Sequence, residues 1–229
     1  MTGPYEVSCP SFVFSEEGIR ARIALGSGFL DIRSSLLGRF NLENILLAVA
    51  AASELGIPPE MIVRGVEKLR VVPGRLEKVP NDLGISVFVD YAHTPEALAR
   101  VGENLRKLAR GRVITVFGCG GDRDRSKRPL MGREAALFSD LVIVTSDNPR
   151  TEDPEKIIEE ILPGLDEAGY PAEKIHRVLS REAALEKAVE LARRGDLILV
   201  AGKGHEDYQI VGKKKVHFSD QEILRKLLG

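Results

Sequence analysis

Short apolar runs and amphipathic segments alternate along most of this chain. The apolar runs are rich in valine, isoleucine and leucine, and their length is that of buried strands. Between them, apolar residues recur at helical spacing, which is typical of helices packed on a sheet. The alternation predicts an α/β fold, a parallel sheet with helices on both faces. Strands are expected at residues 87–89, 112–117, 141–146, 174–178 and 196–200. Helices are expected at residues 95–110, 129–138, 154–162, 181–194 and 220–228, and a hairpin at residues 208–211 and 215–218.

The start of the chain has a different pattern. Two short strands are expected at residues 5–14 and 19–25, around a turn at residues 16–18. A hairpin is marginally stable by itself, and the chain supplies no sheet before it. We therefore expect that a segment upstream of this hairpin is missing.

Two helices are expected next. The first covers residues 41–55, with Asn41 as its N-cap, and the second runs from the prolines at 58 and 59 to about residue 69. The Val-Val-Pro-Gly sequence that follows breaks the helical pattern. It places a domain boundary near residue 73, which gives domains of residues 1–72 and 73–229.

Composition excludes several classes of protein. The chain has 229 residues, is 43% apolar and 29% charged, and carries a formal net charge of -1, so it gives no electrostatic reason to expect nucleic acid or an anionic membrane surface as a partner. No apolar run approaches the roughly 20 residues that span a bilayer. Cys9 and Cys119 have neither disulfide nor metal spacing. A cytoplasmic protein with no metal site in this chain is expected.

The ends of three predicted strands carry glycine and charge. Residues 141–146 run into Asp147, Asn148, Pro149 and Arg150. Asp147 can accept from an ammonium group, and Arg150 offers a planar fork of donors that fits a carboxylate. Together they favour an amino-acid site beyond the carboxyl edge of the sheet. The alternative is an ordinary strand-to-helix turn in which Asp and Asn bond their own backbone.

Two further loops extend this candidate site. The glycine-rich loop at residues 118–128 contains four basic residues, Arg123, Arg125, Lys127 and Arg128, which make it a candidate anion contact. It is a weak match to a dinucleotide fingerprint, because Arg123 stands where the third glycine belongs. The loop after residue 200 contains Gly202 and Glu206. It resembles a phosphate loop only superficially, because Gly204 stands where Ser or Thr must hold magnesium. For both loops, solvated charge is the alternative.

Two other pairs of residues are candidates for nucleotide contact. Asp90 and His93 follow a predicted strand, where Asp90 could accept from ribose hydroxyls and His93 could contact phosphate, although such a pair more often serves capping and packing. Asn41 and Asn44 are one helical turn apart. Two amides on one face could bind the edge of an adenine, and capping alone would leave Asn44 unexplained.

Six segments occur in the order seen in the Mur ligases, the ATP-dependent amide-forming enzymes of peptidoglycan assembly, and the chain resembles that family over nearly its whole length. They are residues 37–44 (LGRFNLEN), 73–77 (PGRLE), 90–95 (DYAHTP), 118–128, 147–150 (DNPR) and 202–206 (GKGHE).

The resemblance implies a fold and a reaction. Residues 73–229 would form the family's C-terminal domain, with a Rossmann-like sheet, and residues 1–72 would be the C-terminal end of its central ATP-binding domain. The family uses ATP and Mg²⁺ to convert a carboxylate to an acyl phosphate, which the incoming amine attacks. The Asp-Asn-Pro-Arg form is the one associated with addition of meso-diaminopimelate to UDP-N-acetylmuramoyl-L-alanyl-D-glutamate.

The resemblance also implies residue roles. Nucleotide contacts would come from Asn41, Asn44, Arg75, Asp90 and His93. Diaminopimelate contacts would come from Arg123, Asp147, Asn148, Pro149, Arg150, Gly202 and Glu206. No residue of this chain is assigned to the catalytic step itself.

One departure from the family matters. The Gly-Lys-Thr phosphate loop does not occur in the 229 residues, nor do the family's magnesium ligands. The chain is therefore expected to need the missing N-terminal and ATPase segments as partners and to be inactive alone. A Mur-type ligase for lysine, or one that joins glutamate to a folate, is the alternative within enzymes. A non-catalytic amino-acid-binding module on the same fold is the alternative from another class, and a nicotinamide oxidoreductase is the third.

Overall fold

The computed structural model describes residues 7–229. Its contacts divide the chain into two compact units, one ending at Val72 and the other beginning at Pro73. In the described part of the chain, no helix is both long enough and apolar enough to cross a membrane.

The first unit contains a three-stranded antiparallel sheet and two helices. Its strands, in the spatial order of the chain, are β1 (Val7–Ser15), β2 (Gly18–Leu25) and β3 (Gly28–Ser34). Its helices are α1 (Arg39–Glu54) and α2 (Pro59–Lys68). The first two residues of the predicted strand at 5–14 lie outside the described residues.

Strand β3 corrects the interpretation of the hairpin. Ile32 pairs with Ala21, and Leu30 pairs with Ile23, so β3 completes a sheet with the predicted hairpin. Ile23 and Ile32 are buried together with Ile45 of α1. The sheet that the hairpin joins is thus completed by a strand that follows it in the chain, which the sequence analysis did not predict, and the expectation of a further segment upstream stays a prediction.

Helix α1 begins earlier than its sequence suggests. Gly38, with φ of 86°, is its N-cap, and no side chain caps the helix. Asn41 lies within the first turn, where its backbone N–H donates to the carbonyl of Gly38 at 3.1 Å. The prediction of Asn41 as the N-cap was wrong, because glycine reaches the left-handed conformation that starts this helix.

The second unit is built on a six-stranded sheet. The strand order is β4-β5-β9-β6-β7-β8; β4 is antiparallel to β5, and all other neighbours are parallel. The strands are β4 (Glu77–Val79), β5 (Ser86–Asp90), β6 (Val113–Phe117), β7 (Leu141–Thr145), β8 (Ile175–Val178) and β9 (Leu197–Ala201). A separate hairpin is formed by β10 (Tyr208–Val211) and β11 (Lys214–His217).

Helices cover both faces of this sheet, which confirms the predicted fold class. They are α3 (Pro95–Leu108), α4 (Lys127–Phe138), α5 (Pro154–Glu167), α6 (Arg181–Leu191) and α7 (Asp220–Leu228). Helices α6 and α7 pack on the face that includes Val87 and Val89, with Leu185 and Leu224 in its core. Helices α3, α4 and α5 pack beside one another on the opposite face. Each fully buried aliphatic side chain contributes about 1.5–3 kcal/mol of hydrophobic stabilisation.

The parallel strands bring distant loops together. Strand β9 lies between β5 and β6, so Asp90 is the register partner of Ala201, and Val116 pairs with Val200. The loops that follow β5, β6, β7 and β9 therefore leave the same edge of the sheet, as ligand-binding loops do in open α/β sheets. The hairpin of β10 and β11 continues from the last of them.

Candidate functional site

The second unit has a cleft at the carboxyl edge of its sheet, with a volume of about 360 Å³. It is lined by loops that follow β5, β6, β7 and β9, and by the first residue of β10. The lining residues are Tyr91, His93, Thr94, Gly118, Cys119, Gly120, Arg123, Lys127, Asp147, Asn148, Arg150, Gly202, Glu206 and Tyr208. Six of the seven residues that the sequence assigned to diaminopimelate line this cleft, and the seventh, Pro149, lies between two of them.

The cleft carries both signs of charge. Three cationic side chains line it, from Arg123, Lys127 and Arg150, and two carboxylates, from Asp147 and Glu206. A ligand with both ammonium and carboxylate groups complements such a surface, whereas a purely anionic or cationic ligand meets repulsion from one set.

Arg150 is held in a left-handed backbone conformation, with φ of 52°. The hairpin fixes it there: its N–H donates to the carbonyl of Ile210 at 3.0 Å, and its own carbonyl accepts from Gly212 at 2.6 Å. Its Nη1 donates to the carbonyl oxygen of Gly121 at 2.8 Å and lies 3.4 Å from that of Asn148. Within residues 7–229, Nε and Nη2 have no hydrogen-bond partner, so that side of the guanidinium can bind a carboxylate. An arginine at positive φ is an uncommon conformation that clusters at functional sites.

Asn148 ties three parts of the site together. Its Nδ2 donates to Oε2 of Glu206 at 2.9 Å, while its Oδ1 accepts from the backbone N–H of Ile210 at 2.9 Å and lies 3.3 Å from Nζ of Lys203. Only 3% of Asn148 is exposed. The side chain therefore bonds residues distant in sequence rather than its own backbone, as a simple Asx turn would require.

Asp147 is buried, but its carboxylate makes fewer contacts than the side chain of Asn148. A Cβ built on Gly202, whose φ is 113°, would lie 2.8 Å from Oδ2 of Asp147. The carbonyl of Asp147 accepts from Nε2 of Gln209 at 2.6 Å, which fixes its backbone. Its carboxylate has the guanidinium of Arg181 at 4.0 Å as its nearest cation. Gly202 thus provides room for a carboxylate that still has acceptor capacity for a ligand.

Glu206 is kept ionised by its neighbours. Burial opposes its ionisation, but hydrogen bonds from Asn148 and Lys203 outweigh it and lower the pKa of Glu206. Lys203 is fully buried, and its Nζ lies 3.0 Å from Oε2 of Glu206. The charge of Glu206 in turn raises the pKa of the Tyr208 hydroxyl. A carboxylate already paired with one cation has less attraction left for a second.

The glycine-rich loop is braced against helix α5. Fully buried Arg128 donates to Glu152 through Nη1 at 2.9 Å and through Nη2 at 2.8 Å, and its Nη1 reaches Glu160 at 2.7 Å. Arg125 pairs with the same two glutamates. The sequence suggested that all four cations of this loop form an anion contact. That was wrong for Arg125 and Arg128, because their guanidinium groups are neutralised by Glu152 and Glu160.

Two cations of that loop do line the cleft. Arg123 is exposed, and its Nη1 donates to the carbonyl of Asp122 at 3.0 Å. The Nζ of Lys127 donates to the carbonyl of His93 at 2.9 Å, which joins this loop to the loop after β5. Gly121 permits the close approach of the loop to residue 149, since a Cβ there would collide with the carbonyl of Pro149.

The carboxylate of Asp90 accepts hydrogen bonds from the backbone around it. Its Oδ2 accepts from the N–H of Leu76 and its Oδ1 from the N–H of Ala92, both at 2.8 Å. It is almost fully buried, and burial raises its pKa. Asp90 does not line the cleft, and the geometry gives it the packing role that was the alternative to ribose contact.

His93 and Arg75 lie near one aromatic side chain, that of Tyr91. The Nδ1 of His93 is 2.8 Å from the carbonyl of Tyr91, and since a carbonyl only accepts, Nδ1 carries the proton and Nε2 is left as an acceptor in the neutral ring. The guanidinium of Arg75 lies 5.0 Å from the centroid of the Tyr91 ring. His93 lines the cleft, whereas Arg75 stacks outside its lining.

The two candidate adenine contacts belong to the first unit. Asn41 is buried and donates from Nδ2 to the carbonyl of Leu37 at 2.7 Å. Asn44 is exposed, and its Nδ2 lies 3.5 Å from Oδ1 of Asn41. Asn41 therefore holds the start of α1, and Asn44 is the amide of the pair that faces solvent.

Several residues of the site were missed by the sequence interpretation. Lys203 and Tyr208 take part in it, and Arg181 lies behind Asp147. The Gly-Lys pair was a signal for Lys203, but it was tested only as a phosphate loop. Cys119 lines the cleft too, and burial raises the pKa of its thiol to about 12, so it is no nucleophile. Among the described residues, no grouping of His, Cys, Asp and Glu could hold a metal ion.

Comparisons with known proteins agree with this geometry. The family model for the Mur ligase, glutamate ligase domain, matches residues 74–204. The chain is 54% identical over 221 residues to the UDP-N-acetylmuramoyl-L-alanyl-D-glutamate--2,6-diaminopimelate ligase of Geobacter metallireducens, which covers 91% of this chain and 43% of that protein. This chain thus spans less than half the length of that relative.

Solved structures give the same result. A structure of a UDP-N-acetylmuramoyl-L-alanyl-D-glutamate--2,6-diaminopimelate ligase superposes with a TM-score of 0.69 at 38% identity, covering 99% of this chain and 45% of that one. Folylpolyglutamate synthase of Mycobacterium tuberculosis complexed with ADP has a TM-score of 0.70 at 21% identity, over 86% of this chain and 45% of that one, which is a likeness of fold. Because the matched family model spans more than half of the 229 residues, this chain belongs to the Mur ligase family.

Proposed function

We propose that the cleft of the second unit binds meso-diaminopimelate, as the amino acid that an ATP-dependent ligase joins to UDP-N-acetylmuramoyl-L-alanyl-D-glutamate in peptidoglycan biosynthesis. The observation that carries the proposal is the position of Arg150. One side of its guanidinium bonds backbone carbonyls and the other side is free, in a cleft that also contains Asp147 and Glu206.

The ligand has chemistry that matches the cleft. Diaminopimelate has a carboxylate and an ammonium group at each end. In this proposal, Nε and Nη2 of Arg150 bind the carboxylate at one end in a bidentate manner, and Arg123 adds a second cation nearby. Asp147 and Glu206 accept from the neighbouring ammonium group. Asn148 keeps Glu206 in place through the 2.9 Å hydrogen bond described above.

Lysine differs from diaminopimelate by one carboxylate, which gives a specific prediction of selectivity. Lysine in this cleft would leave Arg150 without the anion that it is placed to bind. Arg150 is only partly buried, so its unpaired charge keeps some solvation, and we expect discrimination of about 10- to 100-fold rather than the larger values of fully buried groups. A Mur-type ligase for lysine is therefore the less favoured reading of the site.

Nucleotide binding is proposed for a second set of residues. Arg75 presents an exposed guanidinium that suits phosphate oxygens. His93 lines the cleft, and the acceptor Nε2 of its neutral ring suits a ribose hydroxyl donor. In the first unit, Asn44 is exposed and suited to an adenine edge, and Asn41 supports the backbone at the start of α1. In the second unit, Asp90 supports the backbone next to Tyr91. ATP, with Mg²⁺, supplies activation of the acceptor carboxylate when it is bound; this chain's own residues hold and orient the incoming amine.

Calorimetric titration of the 229-residue chain tests the proposal. We expect meso-diaminopimelate to bind, L-lysine to bind at least about tenfold more weakly, and Arg150→Ala to remove that difference. Arg177→Ala, at an exposed arginine on β8, is the matched control and should bind as the unsubstituted chain does. Equal binding of lysine and diaminopimelate by the unsubstituted chain would overturn the role of Arg150.

A turnover assay addresses the catalytic part of the proposal. Since the 229 residues contain no Gly-Lys-Thr loop, we expect the chain to bind the amino acid without forming the amide from ATP and the UDP-linked dipeptide. Addition of the N-terminal portion of a related ligase should restore phosphate release that depends on diaminopimelate. Binding that persists while every complementation fails would favour a non-catalytic amino-acid-binding module.

A further inference from the structure

Arg181 is a fully buried charged side chain behind the cleft. It begins helix α6, and its side chain is fully buried together with that of Asp220 at the start of α7. Arg181 donates from Nε to Oδ1 of Asp220 and from Nη2 to Oδ2, both at 2.8 Å. Its Nη2 also donates to the carbonyl of Ala201 at 3.0 Å, the last residue of β9. These contacts fix the plane of the guanidinium.

One nitrogen of this fixed group is left over. Among the described residues, Nη1 of Arg181 has no hydrogen-bond partner although it is buried. The carboxylate oxygen Oδ2 of Asp147 lies 4.0 Å from this Nη1. A buried donor without a partner is costly, and native structures keep one only for a reason.

Asp147 is the complementary group. Its Oδ2 faces Arg181 on one side and Gly202 on another, where the absence of a side chain leaves it room. Burial disfavours the charged form of Arg181, but the carboxylates of Asp220 and Asp147 outweigh it and raise the pKa of the guanidinium. Arg181 is therefore a permanent cation beneath a carboxylate of the cleft.

We propose that Arg181, fixed by Asp220, is a positioning residue that holds the Asp147 carboxylate in the orientation in which it receives the ammonium group of a bound amino acid. Nothing of Arg181 reaches the cleft lining, so it acts through Asp147 and not on the ligand directly. The inference rests on the proposed function, because it assigns Asp147 to an ammonium group.

A double-mutant cycle tests this role. Arg181→Gln alone would leave Asp220 buried without a cation, so the neutral pair Arg181→Gln/Asp220→Asn is used instead. Its affinity for meso-diaminopimelate is measured by calorimetry in two backgrounds, the unsubstituted chain and the Asp147→Asn chain. Circular dichroism and thermal unfolding establish that each variant is folded. If the neutral pair does not fold, Arg181→Lys takes its place in the same cycle.

The expected result is a strong coupling between the two sites. We expect the neutral pair to weaken binding about tenfold in the unsubstituted background and less than about twofold in the Asp147→Asn background, as for residues that act through one contact. Equal weakening in both backgrounds would show a general structural role and overturn the inference, leaving the proposed function intact. If Asp147→Asn alone leaves affinity unchanged, or if the unsubstituted chain binds no diaminopimelate, the proposed role of Asp147 fails and the inference with it.

Discussion

Asn148 donates its side-chain amide to Glu206 across 2.9 Å, and this contact joins the loop after β7 to the loop after β9. The orientation of the amide is fixed, because Oδ1 accepts from the N–H of Ile210 and from Lys203. The Asp-Asn-Pro-Arg segment is thus bonded to the loop after β9 and to strand β10. The predictions below concern residues of these segments and the neighbouring ion pairs of Glu152.

Replacement of Asn148 by leucine should be costly for folding. Leu has a similar size, but it leaves the N–H of Ile210 and one proton of Lys203 buried without an acceptor. We expect the free energy of unfolding to fall by about 2–4 kcal/mol. Asn44→Leu is the comparison, because Asn44 is exposed and its contact with Oδ1 of Asn41 is long, at 3.5 Å, so it should cost less. Urea unfolding measures both, and equal losses in the two variants would contradict this account.

Comparison of Gly202→Ala with Gly195→Ala should separate an effect on ligand affinity from an effect on the stability of the fold. Both Gly202, at φ 113°, and Gly195, at φ 92°, have backbone conformations that alanine rarely adopts, so each substitution should cost about 1–3 kcal/mol of unfolding free energy. Only at Gly202 would the new Cβ lie 2.8 Å from Asp147, whereas nothing lies within 4 Å at Gly195.

We therefore expect Gly202→Ala to weaken diaminopimelate binding about tenfold or more and Gly195→Ala to leave it unchanged. Calorimetry and thermal unfolding on the same two proteins provide the measurement. Similar affinities for the two variants would mean that the position of Asp147 does not matter for the ligand.

The left-handed backbone conformation of Arg150 should lower the free energy of unfolding by a measurable amount. At φ of 52°, glycine avoids the contact between Cβ and the following carbonyl that any other residue has there. We expect Arg150→Gly to be more stable than Arg150→Ala by about 0.5–1 kcal/mol, after the greater chain entropy of glycine is included. Both should lose selectivity for diaminopimelate. Urea unfolding of the two variants checks the order, and an alanine variant of equal or greater stability would exclude strain at this position.

The network of Glu152 should make stability depend on pH in the acid range. Hydrogen bonds from Arg128 lower the pKa of Glu152 from its ordinary 4.5 to about 2. A carboxyl with a lowered pKa in the folded state stabilises the fold above its ordinary pKa, and that contribution is lost as pH falls from about 4.5 towards 2. Glu152→Gln should cost about 1–3 kcal/mol at pH 7, because it leaves a buried arginine partly unpaired.

The same variant should approach the unsubstituted protein in stability near pH 2.5. Guanidinium unfolding at pH 7 and at pH 2.5 measures the two differences. A difference that does not depend on pH would show that the charge of Glu152 contributes nothing, and that only its shape is needed beside Arg128.

The sequence predicted the parallel strands well because buried strands in such sheets are continuous apolar runs. It missed β4, which has only three residues, Glu77–Val79, and no apolar run. It also missed β3, where only Leu30 and Ile32 alternate with the exposed charges of Asp31 and Arg33, a pattern too short to stand out. Asn41 was misplaced as a cap because a glycine three residues earlier took that position.

Prediction of the site was limited by burial. The acidic and basic residues of the Asp-Asn-Pro-Arg segment could be recognised because their chemistry suits an amino acid. Lys203 and Arg181 could not, because a charged residue is expected at the surface unless its partner is known. The partner of Arg181 is Asp220, 39 residues later. Lys203 pairs with Glu206 only three residues away, but its burial also depends on Asn148, 55 residues earlier. Pairing at such distances has no periodic signal.

The place of β9 between β5 and β6 has a consequence for synthesis of the protein. Strands β5 and β6 are synthesised one after the other, but neither can pair with β9 until residues 197–201 have been made. A nascent chain that stops after β8 has an open slot at the centre of its sheet and lacks the loop of Glu206. Such a chain exposes unpaired strand edges as it leaves the ribosome. The proposed amino-acid site can therefore form only after residues 197–206 have been made, when β9 closes the sheet.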